Sequence, residues 1–135
     1  MPKVAETTLE INLASLKHNF NFLKSKLEDQ TLFLAVVKAF AYGSDAAVIA
    51  KCLQKMSVDY FAVAYINEGV ALRQAGIKTP ILVLHPQENN LELAIEHCLE
   101  PSLYTLKILQ RFTDIAQQHN QKNYPVHIKF NTGLN

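Results

Sequence analysis

The sequence is poor in cysteine: it holds two, Cys52 and Cys98, far apart and without C-x-x-C spacing. That excludes a disulfide framework and a dithiol redox motif. Both lie on segments expected to be helical, at core-facing positions, and read as buried free thiols suited to a reducing cytoplasm. No apolar run approaches the roughly 18–20 residues that span a bilayer. The first residues, Met1-Pro-Lys-Val-Ala-Glu6, contain no apolar h-region, so no secretory signal is visible. Formal net charge is only +1, which is not the electrostatic footprint of a nucleic-acid binder. There is no G-x-G-x-x-G, no P-loop and no zinc-ligand spacing. Internal repeats and low-complexity tracts are also lacking. Neither a membrane nor a nucleic acid is an expected partner.

What is present is a regular alternation. The 135 residues are 49% apolar, enough for one domain with a sizeable core. Thr7–Asn12 alternates polar and apolar residues and reads as a short strand. Asn12 then caps a helix whose stripe is Leu13, Leu16, Phe20, Leu23 and Leu27. Strands are expected at Leu32–Lys38, Tyr60–Tyr65, Ile81–Leu84, Glu100–Tyr104 and Val126–Asn131. Between them come helices at Asp45–Met56 (Val48, Ile49, Cys52, Leu53 and Met56 inward), from Asn67 to Gly76, and at Glu88–Cys98. A last helix runs from a Thr105 cap to His119, with Leu109, Phe112 and Ala116 inward. Strand, helix, strand in this order is the signature of a parallel sheet with helical crossovers. A doubly wound open sheet and a (β/α)8 barrel both fit. A complete barrel needs about 250 residues, and no helix follows the fifth strand. The expected class is therefore α/β, a doubly wound sheet or a partial (β/α)8 TIM-type barrel, cut from a longer protein.

One stretch stands apart, Leu34-Ala-Val-Val-Lys-Ala-Phe-Ala-Tyr-Gly43. An apolar, β-branched run ends in Lys38. Burying an ammonium is costly, so a lysine there is either a solvated strand end or a group kept for chemistry. Strand side chains alternate, which puts Leu34, Val36 and Lys38 on one face. If that face is the lumen, Lys38 opens at the C-terminal rim, where barrel active sites lie. The last strand repeats the pattern, with His127, Lys129 and Asn131 on one face and Val126, Ile128 and Phe130 on the other. The apolar set should pack against helices and the polar set should face the lumen. An inward Lys129 would need an anionic partner, while His127 reads as a satisfied interior histidine. Glu68 reads as a favourable charge in the first turn of its helix. His85 is a loop residue, and His18 and His97 have no companions that suggest a metal.

Val-Val-Lys-Ala-Phe-Ala-Tyr-Gly resembles the pyridoxal 5'-phosphate (PLP) lysine segment of the alanine racemases, Val-Val-Lys-Ala-Asn-Ala-Tyr-Gly-His-Gly. The resemblance extends to Thr-Leu-Glu-Ile-Asn-Leu near the start and to Phe-Ala-Val-Ala-Tyr-Ile-Asn-Glu-Gly-Val-Ala-Leu-Arg from Phe61. Thr-Pro-Ile-Leu-Val-Leu from Thr79 and His-Ile-Lys-Phe-Asn-Thr-Gly-Leu-Asn at the end share it. Departures fall at Phe40 (family Asn), Ser44-Asp45 (family His-Gly) and Asn131 (family Asp). The resemblance implies that Lys38 holds PLP as a Schiff base and moves the Cα proton, that Tyr42 contacts the cofactor phosphate, and that Leu84 packs on its ring. It implies a lysine at Lys129 that is often carbamylated in the family. An ordinary strand-end lysine is the other reading of Lys129.

The family also implies a cytoplasmic homodimer that interconverts L- and D-alanine for peptidoglycan. Residues 1–12 would then belong to the second, mostly β domain of the intact protein, and 13–135 to the first part of the PLP barrel. The family's opposite-face tyrosine base and its pyridine-nitrogen arginine have no counterpart in these residues, so the 135 residues alone are expected to be inactive. Related PLP barrels, such as amino-acid decarboxylases and PLP-homeostasis proteins, share the strand-end lysine but lack Ala-Tyr-Gly after it. Two alternatives remain at this point: another PLP-barrel racemase or decarboxylase, or a non-catalytic PLP carrier.

Overall fold

In the computed structural model, residues 7–133 are described. Expectations touching Met1–Glu6, Leu134 and Asn135 lie outside them. Five parallel strands, β1 (Leu34–Val36), β2 (Tyr60–Val63), β3 (Ile81–Val83), β4 (Glu100–Leu103) and β5 (His127–Ile128), lie side by side in sequence order. A doubly wound sheet would reverse its strand order at a switch point. This sheet has none, so of the two architectures the partial barrel is the one formed.

The helices are α1 (Leu13–Lys24), α2 (Lys38–Gly43), α3 (Ala46–Lys55), α4 (Ile66–Gln74), α5 (Leu91–Glu96) and α6 (Leu106–Gln118). Their starts are set by side chains that accept otherwise orphaned N–H groups, each worth about 1 kcal/mol. Asn12 accepts from Ala14 and Ser15 at 3.0 Å, Asp45 from Val48 at 3.0 Å, and Thr105 from Ile108 at 3.2 Å. Gly76, at φ +90°, follows the end of α4, a conformation that glycine adopts without steric cost. Gly69 lets α4 approach β4: a Cβ there would stand 2.8 Å from Leu99 Cδ1.

The two faces of the sheet differ. Ala35, Val37, Phe61, Val63, Ile81, Val83 and Leu103 pack under the helices, and with Ile66, Leu91 and Leu99 they form the core. The opposite, concave face carries Leu34 and Val36, which are 41% and 39% exposed. By the register, Leu34 aligns with Tyr60, Ala62 with Leu82, Leu82 with Glu100, and Ser102 with His127. Leu84 continues this concave set by alternation from Leu82, and Lys129 from His127.

Several expectations are corrected. Thr7–Asn12 is not a strand, because none of the five strands offers it a ladder. α1 ends at Lys24, leaving Leu23 and Leu27 largely exposed beyond its packed half. Val48 and Leu109 face outward, and Ala50 and Ile108 take the buried positions. Tyr65, rather than Asn67, occupies the cap position of α4. The Glu88–Cys98 segment divides into a 3-10 turn (Glu88–Asn90) and the short α5. Cys52 is buried, but Cys98 is exposed, because the chain turns through φ +50° there to enter β4. Ile128 and Phe130 do not pack against helices but are exposed, since no described helix follows β5, while Val126 borders a cavity with Leu109, Phe112 and Ala116 of α6.

Candidate active site

β1 stops at Val36, two residues before Lys38. The Val37 N–H still bonds to the Ala62 carbonyl at 2.9 Å, but at ψ 19° its backbone has left the strand conformation. Lys38 emerges half-buried at the C-terminal end of the strand. It makes no ion pair among the described residues.

α2 is then a left-handed turn. Ala39, Phe40, Ala41 and Tyr42 have φ of 50°, 54°, 51° and 59°. Left-handed backbone costs an L-residue roughly 1–2 kcal/mol, and four in succession without a glycine is a strained segment. Such strain persists only where the surroundings over-determine it, and it clusters at functional sites. Here the surroundings are explicit. Ala41 N–H bonds Val37 O at 3.0 Å and Ser44 N–H bonds Phe40 O at 2.8 Å. Ser44 Oγ donates to Ala41 O at 2.9 Å. The Glu68 carboxylate accepts the Ala39 N–H at 2.8 Å, and also the N–H groups of Ala64 and Tyr65 at 2.7 and 3.0 Å.

The turn leaves Tyr42 70% and Phe40 77% exposed, with the Tyr42 phenol free of protein acceptors among the described residues. Leu84 is half-buried at the end of β3, its N–H on Val63 O at 2.9 Å. A cavity of about 360 Å³ lies on the helix side of this rim, between Val37, Phe40, Asp45, Val63, Glu68 and Leu72. It is behind the lysine turn, away from the concave face.

Lys129 is held by its N–H on Leu103 O at 3.1 Å, and its side chain is exposed without an ion pair among the described residues. The anionic group on this face is taken by others. Glu100 accepts from Tyr60 at 2.9 and 3.1 Å and pairs with His127 Nε2 at 2.9 Å. His127 is thus a partnered histidine, though its side chain is 40% exposed rather than interior. Burial, then the bond to Glu100, raises the Tyr60 pKa and keeps its phenol neutral. No cluster of three or more metal-ligating side chains exists among the described residues, and no described helix is long and apolar enough to cross a membrane.

Sequence reasoning missed the left-handed turn and the reach of Glu68. Ala-Phe-Ala-Tyr has no residue that favours positive φ, so nothing local signals the turn. Glu68 lies three residues after Tyr65, the spacing of a capping box, which could have identified its bonds to the Ala64–Tyr65 segment.

A one-directional parallel β/α sheet with a strained lysine turn at its C-terminal rim defines a barrel protein with its site at the strand ends. A family model described as alanine racemase, N-terminal domain, matches residues 11–135, and the chain belongs to that family. It is 37% identical over 97% of its length to alanine racemase 1 of Caldanaerobacter subterraneus subsp. tengcongensis, covering 34% of that protein. It is 39% identical over 93% of its length to alanine racemase 2 of Clostridium acetobutylicum, covering 32%. A solved alanine racemase of Clostridium difficile in complex with cycloserine superposes with a TM-score of 0.85 at 38% identity, over 93% of this chain and 34% of that one. The chain therefore spans about a third of the length of the curated relatives it matches.

Proposed function

We propose that the intact protein is a PLP-dependent alanine racemase, with this chain supplying the cofactor lysine. The observation that carries the reading is the position of Lys38: half-buried, without an ion pair among the described residues, just past the C-terminal end of β1 and leading a strained turn. The available groups fit the cofactor. Lys38 offers an amine for its aldehyde, Leu84 an apolar side chain for its ring, and Tyr42 a phenol for a phosphate oxygen. When bound, PLP takes up the electron pair left at the amino acid's Cα as its proton departs. Lys38 then has two tasks. Its amine would hold the cofactor, and its Nζ would move the Cα proton on one face. Tyr42 and Leu84 would help hold the group beside Lys38. Lys129 lies on the same concave face, and carbamylation there would supply an anion in place of a cation.

The same reading places the protein in the cytoplasm as a homodimer that serves cell-wall precursor synthesis. It assigns residues 1–12 to the second domain of the intact protein and 13–135 to the barrel.

Borohydride reduction of the cofactor-loaded intact protein, followed by peptide mass spectrometry, should find the pyridoxyl group on Lys38. Lys38→Ala should lose it and should lower alanine racemisation by about 10³-fold or more. A pyridoxyl group on another lysine would remove the reading. Cofactor on Lys38 without exchange of alanine Cα–H in D₂O would make the protein a carrier.

A further inference from the structure

We infer that Glu68 is a positioning residue for Lys38, beyond its local service to α4; the inference rests on the proposed function. Its two carboxylate oxygens divide their work. Oε2 accepts from Ala64 and Tyr65, which is ordinary capping of its own helix start. Oε1 accepts at 2.8 Å from Ala39, 29 residues earlier and on a different element. Ala39 follows Lys38 directly, and its nitrogen belongs to the Lys38–Ala39 peptide plane. At the start of a helical turn this N–H has no partner within the turn.

A charge-assisted bond from Glu68 fixes that plane. It thereby fixes ψ of Lys38 and the direction in which the lysine side chain leaves the rim. The carbonyl of the same plane belongs to the left-handed turn α2, so Glu68 supplies the plane's bond to a separate element. The carboxylate therefore links the ends of β1 and β2 at the residue where the proposed attachment occurs. A misplacement of about 1 Å there would cost on the order of a hundredfold in rate.

Glu68→Gln separates the two tasks. An amide has one acceptor atom, and the side with two donors, Ala64 and Tyr65, takes it. The NH₂ is then turned towards the Ala39 N–H, donor against donor, so the cap survives and the lysine link is lost. In the cofactor-free intact protein, the dissociation constant for PLP should rise about tenfold in Glu68→Gln, with the urea midpoint close to wild type. A dissociation constant within twofold of wild type overturns the inference, whatever the midpoint does. If Glu68→Gln fails to fold, an ester in place of the Lys38–Ala39 amide, introduced by semisynthesis, deletes this one donor and leaves both cap bonds. The same tenfold rise is expected, and an unchanged constant overturns the inference. Wild-type protein that never attaches PLP at Lys38 removes the proposed function and this inference with it. Attachment in wild type and equal affinity in the variant remove the inference alone.

Discussion

Lys38 and Arg73 are both half-buried cations, one at each end of the same parallel sheet, and the fold treats them differently. Arg73, at the end of α4, donates Nε to His97 O at 3.0 Å and Nη2 to Cys98 O at 2.9 Å. Its Nη1 donates to Ile77 O at 2.9 Å and Thr79 O at 2.7 Å. Four carbonyls from the loops entering β3 and β4 are thus gathered by one planar fork, the geometry a guanidinium supplies and an ammonium does not. Nearby, Tyr124 shares its hydroxyl proton between Ala94 O at 2.7 Å and Leu99 O at 2.9 Å. At the other end, Lys38 has no ion pair among the described residues, and the backbone that follows it is left-handed for four residues. In barrels the N-terminal face carries stability and the C-terminal face carries chemistry. Here the division can be read from how each cation is satisfied.

The strongest way to test that division is Arg73→Met. Hydrogen bonds from a charged group count for roughly 1.5–3 kcal/mol each and do not add, so a loss of about 3 kcal/mol is expected in urea denaturation of the intact protein. Cofactor attachment at Lys38 per folded molecule should not change. A variant of full stability would mean that water replaces the guanidinium at no cost.

Tyr124→Phe should lose about 1 kcal/mol, and it carries a pH signature. Burial, ahead of the nearby Cys98 and Glu100, holds the Tyr124 pKa well above its usual 10.0. The folded value exceeds the unfolded one, so the contribution is full below pH 10 and is lost as pH rises towards the folded value. Unfolding free energy should therefore fall as pH climbs above 10, and fall less steeply in Tyr124→Phe. Tyr60 and Tyr104 are raised for the same first reason, burial, so the slope should shrink without vanishing.

The two ends also differed in how far the sequence disclosed them. The parallel βαβ succession followed from alternation, whereas the strand order, which separates an open doubly wound sheet from a barrel, did not. The apolar run marked a strand reaching Lys38, but β1 ends at Val36 and Lys38 opens the left-handed turn. Interior geometry was less accessible. Cys98 fell on the helical stripe of Leu91, Ala94 and Ile95, but α5 ends at Glu96 and the thiol turns outward. Periodicity marks a face and does not say where a helix stops. Ile128 and Phe130 alternated correctly, yet stay exposed because burial needs a partner that no described helix supplies. The left-handed turn takes a bond from Glu68, 29 residues away, and local propensity carries no trace of it.

That turn yields the smallest predicted effect, and one of opposite sign. Ala39 is exposed at φ 50°. Glycine there would relieve roughly 1–2 kcal/mol of steric cost and would cost roughly 0.5–1 kcal/mol in unfolded-state freedom. Its N–H remains to bond Glu68. Ala39→Gly should therefore raise stability by about 0.5 kcal/mol in urea denaturation, whereas both substitutions at the other end lower it. A stabilising change beside Lys38 is informative because the native alanine then keeps a conformation that a more stable sequence could have relaxed. If the strain serves to hold the lysine, Ala39→Gly should also weaken cofactor binding by a few-fold while the fold gains. Loss of stability in Ala39→Gly would show instead that the turn is at ease, and that the contrast between the two ends rests on Arg73 alone.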